Sequence, residues 1–160
     1  MSEILSMKSL RAAVANCSID TVIAAFPDMQ GRLMGKRFHA KFFVDNAWEE
    51  THCCNYLIAT DLEMETVDGY ESTSWSAGYG DYVMRPDLDT LCVLPWLEGT
   101  ALVLCDLLDH HTHELVPHAP RTVLKQQLKR AADLGLAMMA ATELEFFVFR
   151  ETFEIIRDAG

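Results

Sequence analysis

The run Tyr82-Val83-Met84-Arg85-Pro86-Asp87-Leu88-Asp89-Thr90-Leu91-Cys92-Val93-Leu94-Pro95-Trp96-Leu97-Glu98-Gly99-Thr100-Ala101-Leu102-Val103-Leu104-Cys105-Asp106-Leu107-Leu108 is the most strand-rich part of the chain. It reads as short strands around 82–84 and 91–94, a Leu94-Pro95-Trp96 turn, and an apolar run over 101–108 that suits a buried strand. Upstream, residues 61–81 are polar, with Gly69, Gly78 and Gly80 among Ser and Thr, and read as a long irregular connection. Loops of that length in a compact domain usually carry function, and Tyr70, Trp75 and Tyr79 argue against plain disorder. Before it, Asn46 with Glu49 three residues on predicts a helix start running to about residue 56. Earlier still, a β-rich segment over 19–26, the turn cluster Pro27-Asp28-Met29-Gln30-Gly31 and an alternating segment over 32–43 predict a hairpin. Leu10, Ala13, Val14 and Cys17 fall on one face of an N-terminal helix.

Downstream, residues 110–120 form a second linker, rich in His and Pro. Pro120 at a first helical position, Leu124, Leu128 and Ala131 on one face, and Gly135 as terminator predict a helix of about four turns. Residues 136–150 then read as strand. Helix, hairpin, helix, strands, helix and strand is an α+β order rather than βαβ alternation.

The chain has 160 residues, 50% of them hydrophobic and 23% charged, which argues against disorder. Thirteen Lys and Arg against 24 Asp and Glu give a formal net charge of −11, a repulsive field for nucleic acid or an anionic membrane. Neither is expected as a partner. There is no signal-like N-terminus and no apolar stretch long enough to span a bilayer. The five cysteines lack C-x-x-C spacing, so buried, reduced thiols in a cytoplasmic protein are expected.

Thr142-Glu143-Leu144-Glu145-Phe146-Phe147-Val148-Phe149 is the sharpest chemical signal. In a strand, Glu143 and Glu145 share a face with Cα atoms about 7 Å apart, while Leu144, Phe146 and Val148 face a core. Paired carboxylates on a partly buried strand call for a cation, and hard oxygen donors suit Mg²⁺ or Mn²⁺. An edge strand with two exposed glutamates explains the same spacing. The His110-His111-Thr112-His113 group could hold a transition metal, or simply be an exposed connection. Gly31-Arg32-Leu33-Met34-Gly35-Lys36-Arg37 is one residue short of a phosphate loop and lacks its Ser or Thr, so the hairpin is the better account.

The segment Gly78-Tyr-Gly-Asp-Tyr-Val-Met-Arg-Pro-Asp87, the Leu94-Pro95-Trp96 turn and Gly99-Thr-Ala-Leu-Val-Leu-Cys-Asp106 resemble the end of the glutamine synthetase β-grasp domain. Pro120-Arg121 with its helix and Thr142–Phe149 resemble the opening of that family's catalytic domain; Asp28-x-x-Gly31 and Gly35-Lys36 match as well. The resemblance implies a β-grasp-like domain over 1–112, followed over 113–160 by the first helix and strand of a catalytic domain. It implies an ATP-dependent ligase that joins glutamate to ammonia or another amine through γ-glutamyl phosphate. Glu143 and Glu145 would then be ligands of two divalent metals, Mg²⁺ or Mn²⁺.

Ammonia-using members carry Phe-Asp-Gly-Ser-Ser where this chain has Val67-Asp68-Gly69-Tyr70-Glu71. Asp68 is a partial echo, and Trp75 with Gly78-Tyr79-Gly80-Asp81 resembles the branch that ligates larger amines such as polyamines. Asp68 is the only catalytic candidate; Trp75 and Asp81 are the candidate substrate contacts. Family active sites form between one subunit's β-grasp domain and the next subunit's catalytic domain, so copies of this chain or full-length paralogues are the expected partners. With the family's later motifs lying beyond Gly160, the chain alone is expected to be inactive and to leave Phe146 and Val148 uncovered. The rival reading is a non-catalytic β-grasp module that binds full-length paralogues.

Overall fold

A computed structural model describes residues 4–76 and 78–159. Helix α1 (Met7–Ala15) is followed by strands β1 (Thr21–Pro27) and β2 (Leu33–His39) and by a short helix α2 (Ala40–Phe42) that widens into a π turn over Phe43–Ala47. Then come β3 (Thr51–Cys54), a 3₁₀ turn (Asn55–Ile58), β4 (Asp81–Val93), β5 (Thr100–Asp109), α3 (Pro120–Asp133) and α4 (Phe153–Asp158). The five strands form one mixed sheet ordered β2-β1-β5-β4-β3. β1 runs parallel to β5, and every other pairing is antiparallel.

Local chemistry sets the ends of these elements. Ser6 and Ser9 form a reciprocal capping box at the start of α1, each accepting the other's backbone N–H. Gly31 closes the β1–β2 turn at φ +81°, a conformation that disfavours a Cβ. Pro120 opens α3. Gly135, at φ +74°, ends it in a Schellman motif: Leu136 N–H bonds the Ala131 carbonyl and Gly135 N–H that of Ala132.

Strand alternation sorts the sheet into two faces. Val22, Ala24 and Phe26 of β1, Ala101, Val103, Cys105 and Leu107 of β5, and Tyr82 and Met84 of β4 point into one core. Leu10 of α1 and Ala40, Phe43, Val44 and Ala47 belong to that core too. The opposite face carries Ala25, Leu104 and Asp106, next to α3. β4 is interrupted between Asp87 and Cys92, where three extra residues bulge out. The Thr90 hydroxyl closes the gap, accepting from Leu104 N–H at 2.9 Å and donating to the Asp87 carbonyl at 2.6 Å.

Four expectations need correction. The helix expected over 46–56 lies earlier: Asn46 sits inside the π turn and donates to the Phe42 carbonyl, while Thr51–Cys54 is a strand paired with β4. The two short strands around 82–84 and 91–94 are one bulged strand. The Leu124 and Leu128 stripe does not pack on the sheet; both residues are exposed, and α3 docks through buried Thr122 and through Arg121 and Lys125. Residues 136–149 are irregular and exposed rather than strand, because a strand needs a neighbour and none of the five pairs with them. Phe146 and Val148 are 75% and 84% exposed, as expected.

All five cysteines lie among the described residues, and none forms a disulfide. Cys53 and Cys105 are buried, but Cys17 is exposed, contrary to the expectation of uniformly buried thiols. Burial pushes the Cys53 and Cys105 thiols up to about 12. A thiol at about 12 is roughly one part in ten thousand thiolate at pH 8. A disulfide reagent at pH 8 should therefore label Cys17 within minutes and leave Cys53 and Cys105 untouched until denaturant is added. Native labelling of either buried thiol at the rate of Cys17 would contradict the packing.

Candidate functional site

Sequence and topology bring one end of the sheet under the 61–80 loop. The bend after Cys54 and the start of β4 at Asp81 are joined by Asn55 N–H donating to the Gly80 carbonyl at 2.9 Å. The Asn55 side chain, itself buried, accepts from Thr73 Oγ1 at 2.9 Å and so ties the middle of the loop to the sheet. Gly69 and Gly78, at φ +97° and +71°, supply the loop's sharp bends. Between loop and sheet lies a cleft of about 980 Å³. Glu71, Asp81, Asp109 and Glu114 line it along with Tyr70, Tyr82, His110, His111 and His118, and no Lys or Arg does. Arg85 is the only Lys or Arg between Phe42 and Ala119, a span dense in Asp and Glu. A cleft of this kind favours a cation.

A second, smaller hollow of about 440 Å³ shares Tyr70 and Glu71 with the cleft and adds Asp68, Ser74 and Trp75. Trp75 is 78% exposed and stands edge-on to Tyr79 with ring centroids 5.2 Å apart; Tyr79 in turn stands edge-on to Tyr56 at 5.4 Å. The three aromatics form a short wall that could shield an apolar part of a ligand or hold a cation by its π faces. Asp68, Trp75 and Asp81, singled out from the sequence, thus fall around two adjoining hollows. The chain pattern did not point to Asn55, Glu71 or His118.

The histidine group forms a tight turn. The Asp109 carboxylate accepts the backbone N–H groups of His111 at 2.9 Å and Thr112 at 2.8 Å, and these hydrogen bonds hold it below the usual carboxylate range. His110 packs edge-on against both His52 and His111, at 5.3 Å in each case. His118 reaches Ser72 Oγ at 3.4 Å, and burial holds its ring below the usual imidazole range. No group of three His, Cys, Asp or Glu able to hold a metal occurs among the described residues.

Glu143 and Glu145 are exposed on the irregular 136–149 segment and line neither hollow. The shared strand face expected of them is not formed.

The glutamine synthetase catalytic-domain profile matches residues 117–156. Gamma-glutamylethanolamide synthetase of Streptomyces coelicolor is 52% identical over 157 residues, which is 98% of this chain and 34% of that protein. Glutamate–isopropylamine ligase of a Pseudomonas species is 35% identical over 92% of this chain and 32% of its own length. The chain thus spans about a third of the length of these relatives. Among solved structures, a GmaS/ADP complex superposes with a TM-score of 0.58 at 22% identity, over 84% of this chain and 26% of that one, which supports the fold. No helix of the described residues is long and apolar enough to cross a membrane. On these grounds the chain belongs to the glutamine synthetase family.

Proposed function

We propose that the chain is the amino-terminal part of an ATP-dependent ligase that joins glutamate to an organic amine through γ-glutamyl phosphate. Residues 1–112 are taken as a β-grasp domain. The mixed sheet, with the N-terminal hairpin strand β1 parallel to the last strand β5, supports that reading. Residues 113–160 are taken as the opening of the catalytic domain, supported by the profile match over 117–156.

One observation carries the amine: the cleft under the 61–80 loop has four carboxylates and no Lys or Arg on its walls, and adjoins a hollow bearing Trp75. A protonated amine is drawn to such a field, and an aromatic edge favours an amine with a carbon body over ammonium. The two relatives named above carry in their names an ethanolamide, which is the amide of an organic amine, and isopropylamine, itself an organic amine. In this reading Asp68 and Asp81 attract and orient the amine and Trp75 covers its carbon chain.

Divalent metal and ATP enter through the family. Glu143 and Glu145 are hard oxygen donors of the kind Mg²⁺ or Mn²⁺ takes, and we assign them as two carboxylate ligands. The pair alone does not make a metal centre, since no three-ligand cluster occurs among the described residues. The remaining ligands and the nucleotide pocket would come from elsewhere in the complete ligase. A neighbouring copy or a full-length paralogue is the partner this arrangement asks for.

The test is ATP-dependent phosphate release by the complete ligase offered glutamate with ammonium, ethanolamine, isopropylamine and a polyamine. An organic amine is expected to be the best acceptor, and the isolated 160-residue chain is expected to show no turnover. Trp75→Ala should raise KM for the amine about tenfold, the loss of an aromatic contact worth roughly 1–2 kcal/mol, without raising KM for ATP. Ammonium as best acceptor, or turnover by the isolated chain, would overturn the reading.

A further inference from the structure

The turn between β1 and β2 holds more than the hairpin. Asp28 is 1% exposed, and its carboxylate accepts three hydrogen bonds: Gln30 N–H at 2.9 Å, Arg32 N–H at 2.8 Å and Arg32 Nε at 2.7 Å. Burial alone would push this carboxyl up, but the bonds from Arg32 and Gln30 outweigh it and hold Asp28 below the usual range. With Nε fixed, the guanidinium fork keeps one bond within its own turn, Nη2 to Gln30 Oε1 at 3.1 Å, and reaches beyond it. Nη1 donates to the Leu62 carbonyl at 2.9 Å and Nη2 to the Asp61 carbonyl at 2.9 Å. Gln30 Nε2 donates to the Thr60 carbonyl at 3.0 Å. Three consecutive carbonyls, some thirty residues away in sequence, are thereby gripped by one turn.

Those carbonyls begin the loop described above. Asp61 continues the construction, its Oδ1 accepting the N–H groups of Glu63 at 2.9 Å and Glu65 at 3.0 Å. Val67 N–H returns to the Ala59 carbonyl at 2.9 Å. Residues 59–67 are therefore a closed turn with its base in the Asp28–Arg32 grip, and Asp68 is the first residue to leave it. Met29, in the middle of the gripping turn, lines the large cleft.

We propose that Arg32, held by Asp28, is a positioning residue for the acceptor site: by fixing the 60–62 backbone it sets where Asp68 and Trp75 stand. This rests on the amine reading of that loop. The role needs a planar fork with one edge tied down and two donors free, which lysine cannot supply. Arg32→Lys keeps the charge and loses the fork, while Gln30→Leu removes the bond to Thr60 and the 3.1 Å bond that Gln30 Oε1 accepts from Arg32 Nη2, and preserves the Asp28–Arg32 pair.

The test has two arms. In the 160-residue chain, amide exchange at Glu63, Glu65 and Val67 should quicken about tenfold in Arg32→Lys and a few-fold in Gln30→Leu, with β5 amides unchanged. In the complete ligase, Arg32→Lys should raise KM for the amine about tenfold, while KM for ATP and kcat at saturating amine stay within about twofold. Unchanged exchange in the 59–67 turn, or equal acceleration in β5, would overturn the proposal. So would faster exchange with no change in amine KM, provided Trp75→Ala still raises it. If neither variant moves that KM, the amine reading of the loop itself is what has failed.

Discussion

Gly35→Ala should cost about 3 kcal/mol of stability and roughly 10 °C of Tm, a large loss for a single added methyl group. Gly35 lies in β2 opposite Ala25 of β1. A Cβ built there would sit 2.0 Å from the Ala24 carbonyl oxygen and 2.7 Å from Ala25 Cα, both backbone atoms. β1 cannot retreat, because β5 is paired along its other side. The edge strand β2 must therefore peel away, taking with it ladder hydrogen bonds and the register of the Asp28–Arg32 turn. Gly31→Ala is the informative comparison. Its Cβ would meet nothing within 4 Å, so only the left-handed backbone penalty of about 1–2 kcal/mol applies. Urea denaturation of both variants measures the difference. If Gly35→Ala proved no less stable than Gly31→Ala, the close strand approach would not be present in solution.

Much of this fold was legible because its signals are local. Gly31, Pro120 and Gly135 each act on the backbone within a few residues, and each ends or bends an element where the sequence placed it. The apolar run of β5 was legible for the same reason: only a strand covered on both sides tolerates it. What failed was decided at a distance. Asn46 and Glu49 have the spacing of a helix start, yet Thr51–Cys54 pairs with β4, and that ladder outweighs the local preference. The alternation of 142–149 is real, but a strand is a relation between two segments, and the second is not among the five strands of the described residues.

The α3 stripe misled for a different reason. Leu124 and Leu128 have the period of a core face, but the side of α3 on the sheet is the ionic one, Arg121 and Lys125 over Asp87 and Asp106. Apolar periodicity finds a face that wants cover; it does not say which partner covers it. The candidate site divides the same way. Asp68, Trp75 and Asp81 stood out by resemblance to the family's motifs, whereas the grip of Arg32 on residues 61 and 62 joins parts of the chain about thirty positions apart and leaves no periodic trace.

Arg121→Met should lower stability by about 3 kcal/mol at pH 7, and the deficit should shrink in acid. Arg121 Nε meets Asp106 at 2.9 Å and its Nη2 meets Asp87; Lys125 Nζ reaches Asp106 at 2.7 Å and Asp87 at 3.1 Å. The side chains of Arg121 and Asp106 are only 17% and 9% exposed, so the cluster is mostly out of water. Removing Arg121 leaves two carboxylates sharing one ammonium, and the unpaired charge rather than the lost bond sets most of the cost. Burial alone would raise the Asp87 carboxyl, but Lys125 and then Arg121 outweigh it and hold it low. A carboxyl held low in the folded state stabilises above its unfolded value of about 3.9 and loses that contribution as pH falls below it. In the variant Asp87 has one cation fewer, so less of its stability remains to be lost. The gap between wild type and variant should be full at pH 6–7 and narrow below about pH 4. Asp28, held low by Arg32 in both proteins, contributes an acid sensitivity common to the two and cancels from the comparison. Urea denaturation from pH 3 to pH 7 gives the two curves. A gap independent of pH would mean that α3 is held to the sheet by packing around Thr122 and not by this cluster.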